Sequence, residues 1–357
     1  MLPSGPKAYG YDAVMNSHIN DPASDPPDDM AEELAPYYRL DPDTVLHAIE
    51  SVGLLTDGRL LALNSYENRV YQVGIEEEQP LIAKFYRPGR WSDEQILEEH
   101  GFAQELAEAE IPMIAPLLIN GASLHHDSGF RFALFPRQGG HAPELGDKET
   151  RLWLGRFLGR IHAVSSVRKF KHRPALSAER FGDESIATLL EGGWLPSHVE
   201  DAFSSLTADL MVHIRAAYER CSHCASIRLH GDLHPGNLLW RDGPFFVDLD
   251  DCQSGPAIQD LWMLLSGDRQ EMQIQLADVL EGYRQFHHFN MAELQMIEAL
   301  RTLRMLHHAA WLARRWEDPA FPVAFPWFGE PRYGENLILS LREQLSAMQE
   351  PALELPY

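Results

Sequence analysis

The spacing of apolar positions changes near the middle of the 357-residue chain. After a first stretch with little aliphatic periodicity, Asp41-Pro42-Asp43-Thr44 opens a short helix over 45–52. Strand-like runs follow at 59–63, 69–73 and 81–86. The polar turn Asn64-Ser65-Tyr66-Glu67-Asn68 separates the first two, and the acidic turn Glu76-Glu77-Glu78 precedes the third. Ser92 is a suitable N-cap for a helix running to Glu108. A further strand over 131–135 stops at Pro136 and Gly139-Gly140. From Lys148 the spacing is helical: Leu152, Leu154, Phe157, Leu158 and Ile161 fit one helix face. More helical segments are predicted near 198–220, 257–266, 270–287, 291–317 and 334–349, and only 227–250 interrupts them with short strands. This pattern predicts an α+β fold in two lobes, a small sheet-rich lobe over 39–137 and a large helical lobe over 138–357. An extended or disordered arm over 1–38 precedes them, because Asp21-Pro22-Ala23-Ser24-Asp25-Pro26-Pro27-Asp28-Asp29 cannot bury enough apolar surface to offset its ordering entropy.

Charge narrows the function. With 30 Lys and Arg against 53 Asp and Glu, the formal charge is −23, so tracking a phosphate backbone is disfavoured and no nucleic-acid partner is expected. The same charge suits a cationic substrate or a basic partner, or simply a surface kept apart by self-repulsion. Three cysteines do not make a disulfide framework. Cys221-Ser-His-Cys224 lacks the second ligand pair of a zinc site, so helix-end thiols are expected there. The first 30 residues show no basic start followed by an apolar run. No window approaches the roughly 18–20 apolar residues that span a bilayer. A monomer in the cytoplasm, without membrane contact, is the expectation.

Candidate chemistry concentrates in His230-Gly231-Asp232-Leu233-His234-Pro235-Gly236-Asn237 and the segment after it. Apolar runs at 238–240 and 245–249 flank Asp242-Gly243, a strong short hairpin signal. A symmetric turn of two or four residues would set Asn237 opposite Asp248, with Cβ atoms roughly 5 Å apart. An amide oxygen and a carboxylate so placed make a hard-oxygen site suited to Mg²⁺. Asp232, five residues before Asn237 across a Pro-Gly turn, can face the same spot without ligating the ion. Phosphoryl transfer needs this set: one carboxylate to orient an acceptor hydroxyl, and an oxygen pair to hold the metal on the phosphates.

The His-x-Asp-x4-Asn pattern with an Asp on the return strand resembles the catalytic loop and metal strand of the aminoglycoside phosphotransferase/choline kinase-like group, which shares the protein-kinase fold. Leu63-Asn-Ser-Tyr-Glu-Asn-Arg-Val-Tyr71, Lys84-Phe-Tyr-Arg-Pro88, Ile96-Leu-Glu-Glu-His100 and Gln259-Asp-Leu-Trp-Met-Leu264 extend the resemblance over about 40–355, toward a serine/threonine protein kinase branch of that group. The resemblance implies a bilobal protein-kinase-like fold, ATP as phosphoryl donor and Mg²⁺ as cofactor. It implies Asp232 as catalytic base, Asn237 and Asp248 as metal ligands, and Asp260 as a carboxylate tying down the loop, although the residues alone read Asp260 equally as a helix-start acid. Leu249 and Asp250 replace the usual Phe-Gly after the metal aspartate, so the flip tied to that pair does not carry over.

Lys84 lies inside the apolar run Leu81-Ile-Ala-Lys-Phe-Tyr86, where a charge is costly unless paired. On the kinase reading Lys84 reaches the α- and β-phosphates and a helix carboxylate holds it. Glu99 matches the family helix, with Glu98 as the alternative. No Gly-rich loop covers the phosphates. The resemblance points to Ser65 in the turn 64–68 as an ATP contact and to Phe135-Pro136-Arg137 as the adenine-side hinge. A solvated loop is the default for Asp250 and Asp251, and packing is expected of His307, His308 and Trp311. The acceptor on this reading is a protein serine or threonine, with the chain itself among the candidates. A small-molecule kinase for an amino alcohol, sugar or aminoglycoside is the alternative, and a pseudokinase is disfavoured because no catalytic position is missing.

Overall fold

A computed structural model describes residues 36–355; the predicted arm lies outside the described residues except for its last three. Of those, Tyr37 is buried. Its hydroxyl donates to the carbonyls of Glu67 (3.0 Å) and Phe85 (3.3 Å), and the Arg69 guanidinium stacks 4.5 Å from its ring. An aromatic with a polar tip is well suited to this place at the ends of the inner strands of the sheet.

The first lobe holds α1 (Pro42–Ser51), β1 (Thr56–Leu63), β2 (Arg69–Ile75), β3 (Leu81–Tyr86), α2 (Asp93–Glu108), β4 (His125–Asp127) and β5 (Phe130–Pro136). The strands form one antiparallel sheet in the order β1-β2-β3-β5-β4. Val73, Ala83, Phe85, Phe132 and Leu134 bury one face against Val45, Ala48 and Ile49 of α1. Lys84 alternates to the opposite face, paired across the strands with Val70 and Ala133. Ser92 and Gln95 close a reciprocal capping box at the start of α2, which fixes the entry of the helix that carries Glu99.

The second lobe is built from α3 (Lys148–Ser165), a π-helical turn (Glu179–Asp183), α4 (Glu184–Glu191), α5 (Ser197–Arg220), β6 (Ile227–Leu229), β7 (Leu238–Trp240), β8 (Pro244–Phe246), β9 (Gln253–Gly255), α6 (Gln259–Trp262), α7 (Arg269–Tyr283), α8 (Ile297–Arg315), α9 (Ala320–Ala324) and α10 (Pro331–Gln349). Its floor is the pair α3–α7. Gly155, Gly159 and Gly282 let the two backbones meet so closely that a Cβ at each would lie 2.0–2.4 Å from a carbonyl oxygen of the other helix.

Two predicted helices differ from the expectation. The segment near 257–266 keeps only the short α6, because Asp260 and Gln259 are committed to the neighbouring loop. The segment near 291–317 is divided: Met291–Met296 is 3₁₀, capped by Asn290, and α8 follows. The π turn, α4 and α9 were not anticipated.

Candidate active site

The loop leaving β6 is held from below. Asp260 is fully buried and accepts from the backbone N–H of His230 (2.8 Å) and of Gly231 (2.9 Å), and from His162 Nε2 (3.1 Å). Gln259 Nε2 donates to the Gly231 carbonyl at 3.1 Å. His230 Nε2 faces the Val247 carbonyl at 2.9 Å; a carbonyl only accepts, so that nitrogen carries the proton. Gly231 sits at φ 88°, and a Cβ there would fall 2.1 Å from the Asp251 carbonyl oxygen. Only glycine combines that backbone angle with that approach.

The Asp232 carboxylate is met by Arg304 Nη1 at 2.5 Å and by His234 Nε2 at 3.5 Å. Burial acts to raise its carboxyl, but Arg304 and then His234 outweigh it and hold it well below the usual range. Asn237 ends a 3₁₀ turn and donates Nδ2 to the Asp232 carbonyl at 2.9 Å, which leaves its amide oxygen as the face turned away from the loop.

The hairpin register differs from the symmetric turn by one residue. Leu238 pairs with Phe246, Leu239 with Phe245 and Trp240 with Pro244, so the loop is the three residues Arg241, Asp242 and Gly243. Asp242 takes a left-handed conformation (φ 57°), which suits an odd loop, and Asn237 therefore faces Val247, whose N–H donates to its carbonyl at 3.1 Å. Asp248 lies one step beyond the pair and is itself left-handed, at φ 62°. For a non-glycine residue that angle is strained, and such strain gathers at functional sites.

Lys84 is where the strands and helices of the two lobes converge. Its ammonium lies 2.9 Å from Asp248 Oδ1, 3.2 Å from Asp250 Oδ1 and 3.4 Å from Glu99 Oε1. Burial works against this charge, and Asp248, Asp250 and Glu99 together overcome it and raise the lysine well above its ordinary value. Burial lifts the Glu99 carboxyl against Lys84 and Arg173. With Arg173 Nη2 at 2.7 Å as well as Lys84, the ionised Glu99 is the form this geometry satisfies. Glu98 turns the other way and accepts from the backbone N–H of Lys171, His172 and Arg173.

Asp250 departs from the solvated loop expected of it. It is buried and paired with Lys84 and Arg90, while Arg173 Nη1 donates to its carbonyl at 2.6 Å. Burial would raise its carboxyl, but Arg90, Lys84 and Arg173 prevail and lower it. Asp251 goes the other way, pushed up to about 6 by burial and by Asp250, Asp232 and Asp248, with Arg90 opposing.

Ser65 sits half-buried in the β1–β2 turn. Its neighbours reach across to the helical lobe. Tyr66 packs on Phe325, and Glu67 accepts from Trp311 Nε1 (2.5 Å) and Arg315 Nη2 (2.8 Å) of α8. Burial raises the Glu67 carboxyl, yet Arg90, Arg315 and Arg87 leave it lowered. At the far edge, β5 ends at Pro136, and Arg137 Nε donates to Gln72 Oε1 at 2.7 Å.

Sequence reasoning missed Arg90, Arg173, Arg304 and Glu67. Each is an ordinary surface-type residue in its own segment, and its partner lies far along the chain. The one available signal was Arg90 beside Pro88 in the Lys84 segment. The cysteine pair is structural: Cys221 Sγ donates to the Ala292 carbonyl, and burial raises both thiols, Cys224 to about 12. No group of three or more His, Cys, Asp or Glu among the described residues is arranged to hold a metal ion, and no described helix is long and apolar enough to cross a membrane.

A buried lysine–glutamate pair on a five-stranded lobe, facing an aspartate loop and a second aspartate on a helical lobe, defines a kinase-type phosphotransferase. A profile of the phosphotransferase enzyme family matches residues 59–297, and the chain belongs to that family. It is similar to stress response kinase A of Escherichia coli (strain K12), with 43% identity over 319 residues covering 89% of this chain and 97% of that protein. It is also similar to the serine/threonine protein kinase RdoA of Salmonella typhimurium (strain LT2), with 42% identity covering 91% of this chain and 99% of that one. Among solved structures, amicoumacin kinase hAmiN in complex with AMP-PNP and Ca²⁺ superposes with a TM-score of 0.67 at 18% identity, over 88% of this chain and 96% of that one. A microcompartment-associated aminopropanol kinase superposes at 0.65 and 19% identity, over 88% and 100%. These structures share the bilobal α+β fold.

Proposed function

We propose that this protein is a Mg²⁺- and ATP-dependent serine/threonine protein kinase acting in stress response. The observation that carries the chemistry is Lys84, whose ammonium meets Glu99 and Asp248 at once, 3.4 and 2.9 Å away. The names of the relatives, which match nearly the whole chain, support the acceptor class and the cellular role.

On this reading residues 39–137 take up the nucleotide. Lys84 leaves Asp248 for the α- and β-phosphates while Glu99 keeps it aimed, and Ser65 donates to a phosphate oxygen. Asn237 Oδ1 and the half-exposed Asp248 carboxylate are the pair that would hold Mg²⁺. They fit it: both are hard oxygens, and the Asn237 nitrogen is already committed to Asp232. Two protein oxygens suffice for an ion that keeps waters and substrate phosphates in its shell. When bound, Mg²⁺ neutralises charge on the β- and γ-phosphate oxygens.

Asp232 orients the acceptor hydroxyl. The hydroxyl oxygen bonds to the γ-phosphorus, the bond from that phosphorus to the bridging oxygen breaks, and ADP leaves with the electron pair. The hydroxyl proton passes to Asp232 late in the step. With Arg304 beside it, Asp232 stays ionised at any working pH and acts first as an acceptor that aims the hydroxyl. The chain works as a cytoplasmic monomer on this reading, without nucleic acid or membrane.

Transfer of γ-phosphate to the chain itself or to a generic protein, in Mg²⁺ and ATP, tests the proposal. Wild type labels protein and Asp232→Ala does not. Equal labelling by both overturns the mechanism. ATP turnover stimulated only by an amino alcohol, sugar or aminoglycoside, with no protein labelled, overturns the acceptor class.

A further inference from the structure

The wall beside Asp232 has the wrong charge for a cationic acceptor. In a chain with a net charge of −23, α8 carries four arginines (Arg301, Arg304, Arg314, Arg315) and one carboxylate, Glu298. Glu298 faces Arg301 and Gln344, away from the loop. Arg304 keeps 41% of its side chain exposed while it holds Asp232. One turn further along α8, His307 stacks on Phe181 with ring centroids 4.1 Å apart, and His308 packs on Trp311. His307 lies in the field of Arg314, Arg180, Arg90 and Arg304.

Arg180, on the π-helical turn next to Phe181, faces this wall. Its guanidinium lies 5.4 Å from the Phe181 ring and 5.8 Å from Trp91, and it makes no ion pair within salt-bridge distance among the described residues. The acids nearest to it electrically are Asp251 and Glu184; Arg90 and Arg173 stand with it. Arg180 shares the Trp91 ring with Arg90 (5.2 Å) and Arg173 (4.4 Å), and Arg90 holds Asp250 and Asp251, which puts Arg180 on the flank of the same site. A half-buried arginine stacked on aromatics without a carboxylate is a ready anion receptor, since its fork matches a carboxylate edge on edge. The π turn runs directly into α4, and π distortions within helices recur at functional positions.

We propose that Arg180, with Arg304, reads negative charge flanking the acceptor hydroxyl, so that this chain selects serines and threonines within acidic polypeptide segments. This specificity rests on the protein-kinase reading above. A cationic small molecule would need a carboxylate beside its charge, whereas Arg180 and Arg304 offer it guanidinium groups.

Three peptide sets test it, each with one serine or threonine flanked by acidic, neutral or basic residues, phosphorylated by the full chain in Mg²⁺ and ATP. Wild type favours the acidic set over the basic set in kcat/KM by about tenfold or more, the worth of one charge-assisted contact. Arg180→Ala removes the preference through KM for acidic peptides, Arg180→Lys restores only part of it because an ammonium lacks the planar fork, and Arg180→Glu inverts it. Equal rates on the three sets, or an Arg180→Ala effect that lowers all three alike, overturns the specificity and leaves the kinase reading standing. Labelling of no peptide or protein, with a hydroxylated metabolite phosphorylated instead, overturns both.

Discussion

Lys84 on β3 and Asp248 beyond β8 are 164 residues apart in the chain and 2.9 Å apart in space. Each lobe alone would leave a buried or strained charge without its partner. Replacing Lys84 by Met leaves Glu99 and Asp250 buried with one cation fewer. Phosphoryl transfer falls about 100- to 1000-fold, and the chain loses on the order of 3 kcal/mol of stability. Initial rates together with urea unfolding check this. Lys84→Arg restores little activity, because a planar fork does not replace a point charge among three carboxylates.

Asn237→Ala removes the amide that bonds the Asp232 carbonyl and is proposed to hold the metal. The Mg²⁺ concentration for half-maximal rate rises about tenfold, as expected when a ligand and its support are lost together. A Mg²⁺ titration at saturating ATP reads it. An unchanged midpoint would remove Asn237 from the metal site.

Asp260→Ala withdraws the acceptor shared by His230, Gly231 and His162. Two buried backbone donors lose their partner, at a cost of about 2–4 kcal/mol in all. The rate falls with little change in KM for ATP, since Asp260 touches the loop and not the nucleotide. Asp260→Asn retains one acceptor and recovers part of both. Denaturation midpoints and steady-state kinetics on the same preparations check it.

His307 is held neutral, its imidazole pushed down to about 3 by burial and by the arginines around it. Its folded value lies below the unfolded one of about 6.5, so the stability it confers is full above that pH and is lost as pH falls through it. At pH 5 this one group costs about 2 kcal/mol. His307→Phe keeps the stack on Phe181 and removes the proton site, so its unfolding free energy changes less between pH 7 and pH 5 than that of wild type. Parallel slopes would show that the ring is not the titrating group.

How much the chain revealed in advance follows from distance along it. The Asp232–Asn237 loop and the Lys84 strand were legible because their motifs are contiguous. The hairpin register was not, because the left-handed angle at Asp242 decides between an even and an odd loop and leaves no clear composition signal. The partners of Lys84 were half legible. Glu99 came from the resemblance to the family helix, with Glu98 left open, while Asp250 looked like solvated loop until Arg90 and Arg173 arrived from other segments. Arg304 and Arg180 were invisible, as lone arginines on helices whose packing partners lie dozens of residues away. Short elements such as α6 failed for the same reason: their side chains serve a neighbour, and the helical period is cut off to allow it.

Glu67 ties the turn that carries Ser65 to Trp311 and Arg315 of α8. The turn between β1 and β2 is therefore latched to the helical lobe. Moving the lobes apart at this edge means parting a buried carboxylate from its cations, and a pair shielded from water in this way is little loosened by salt.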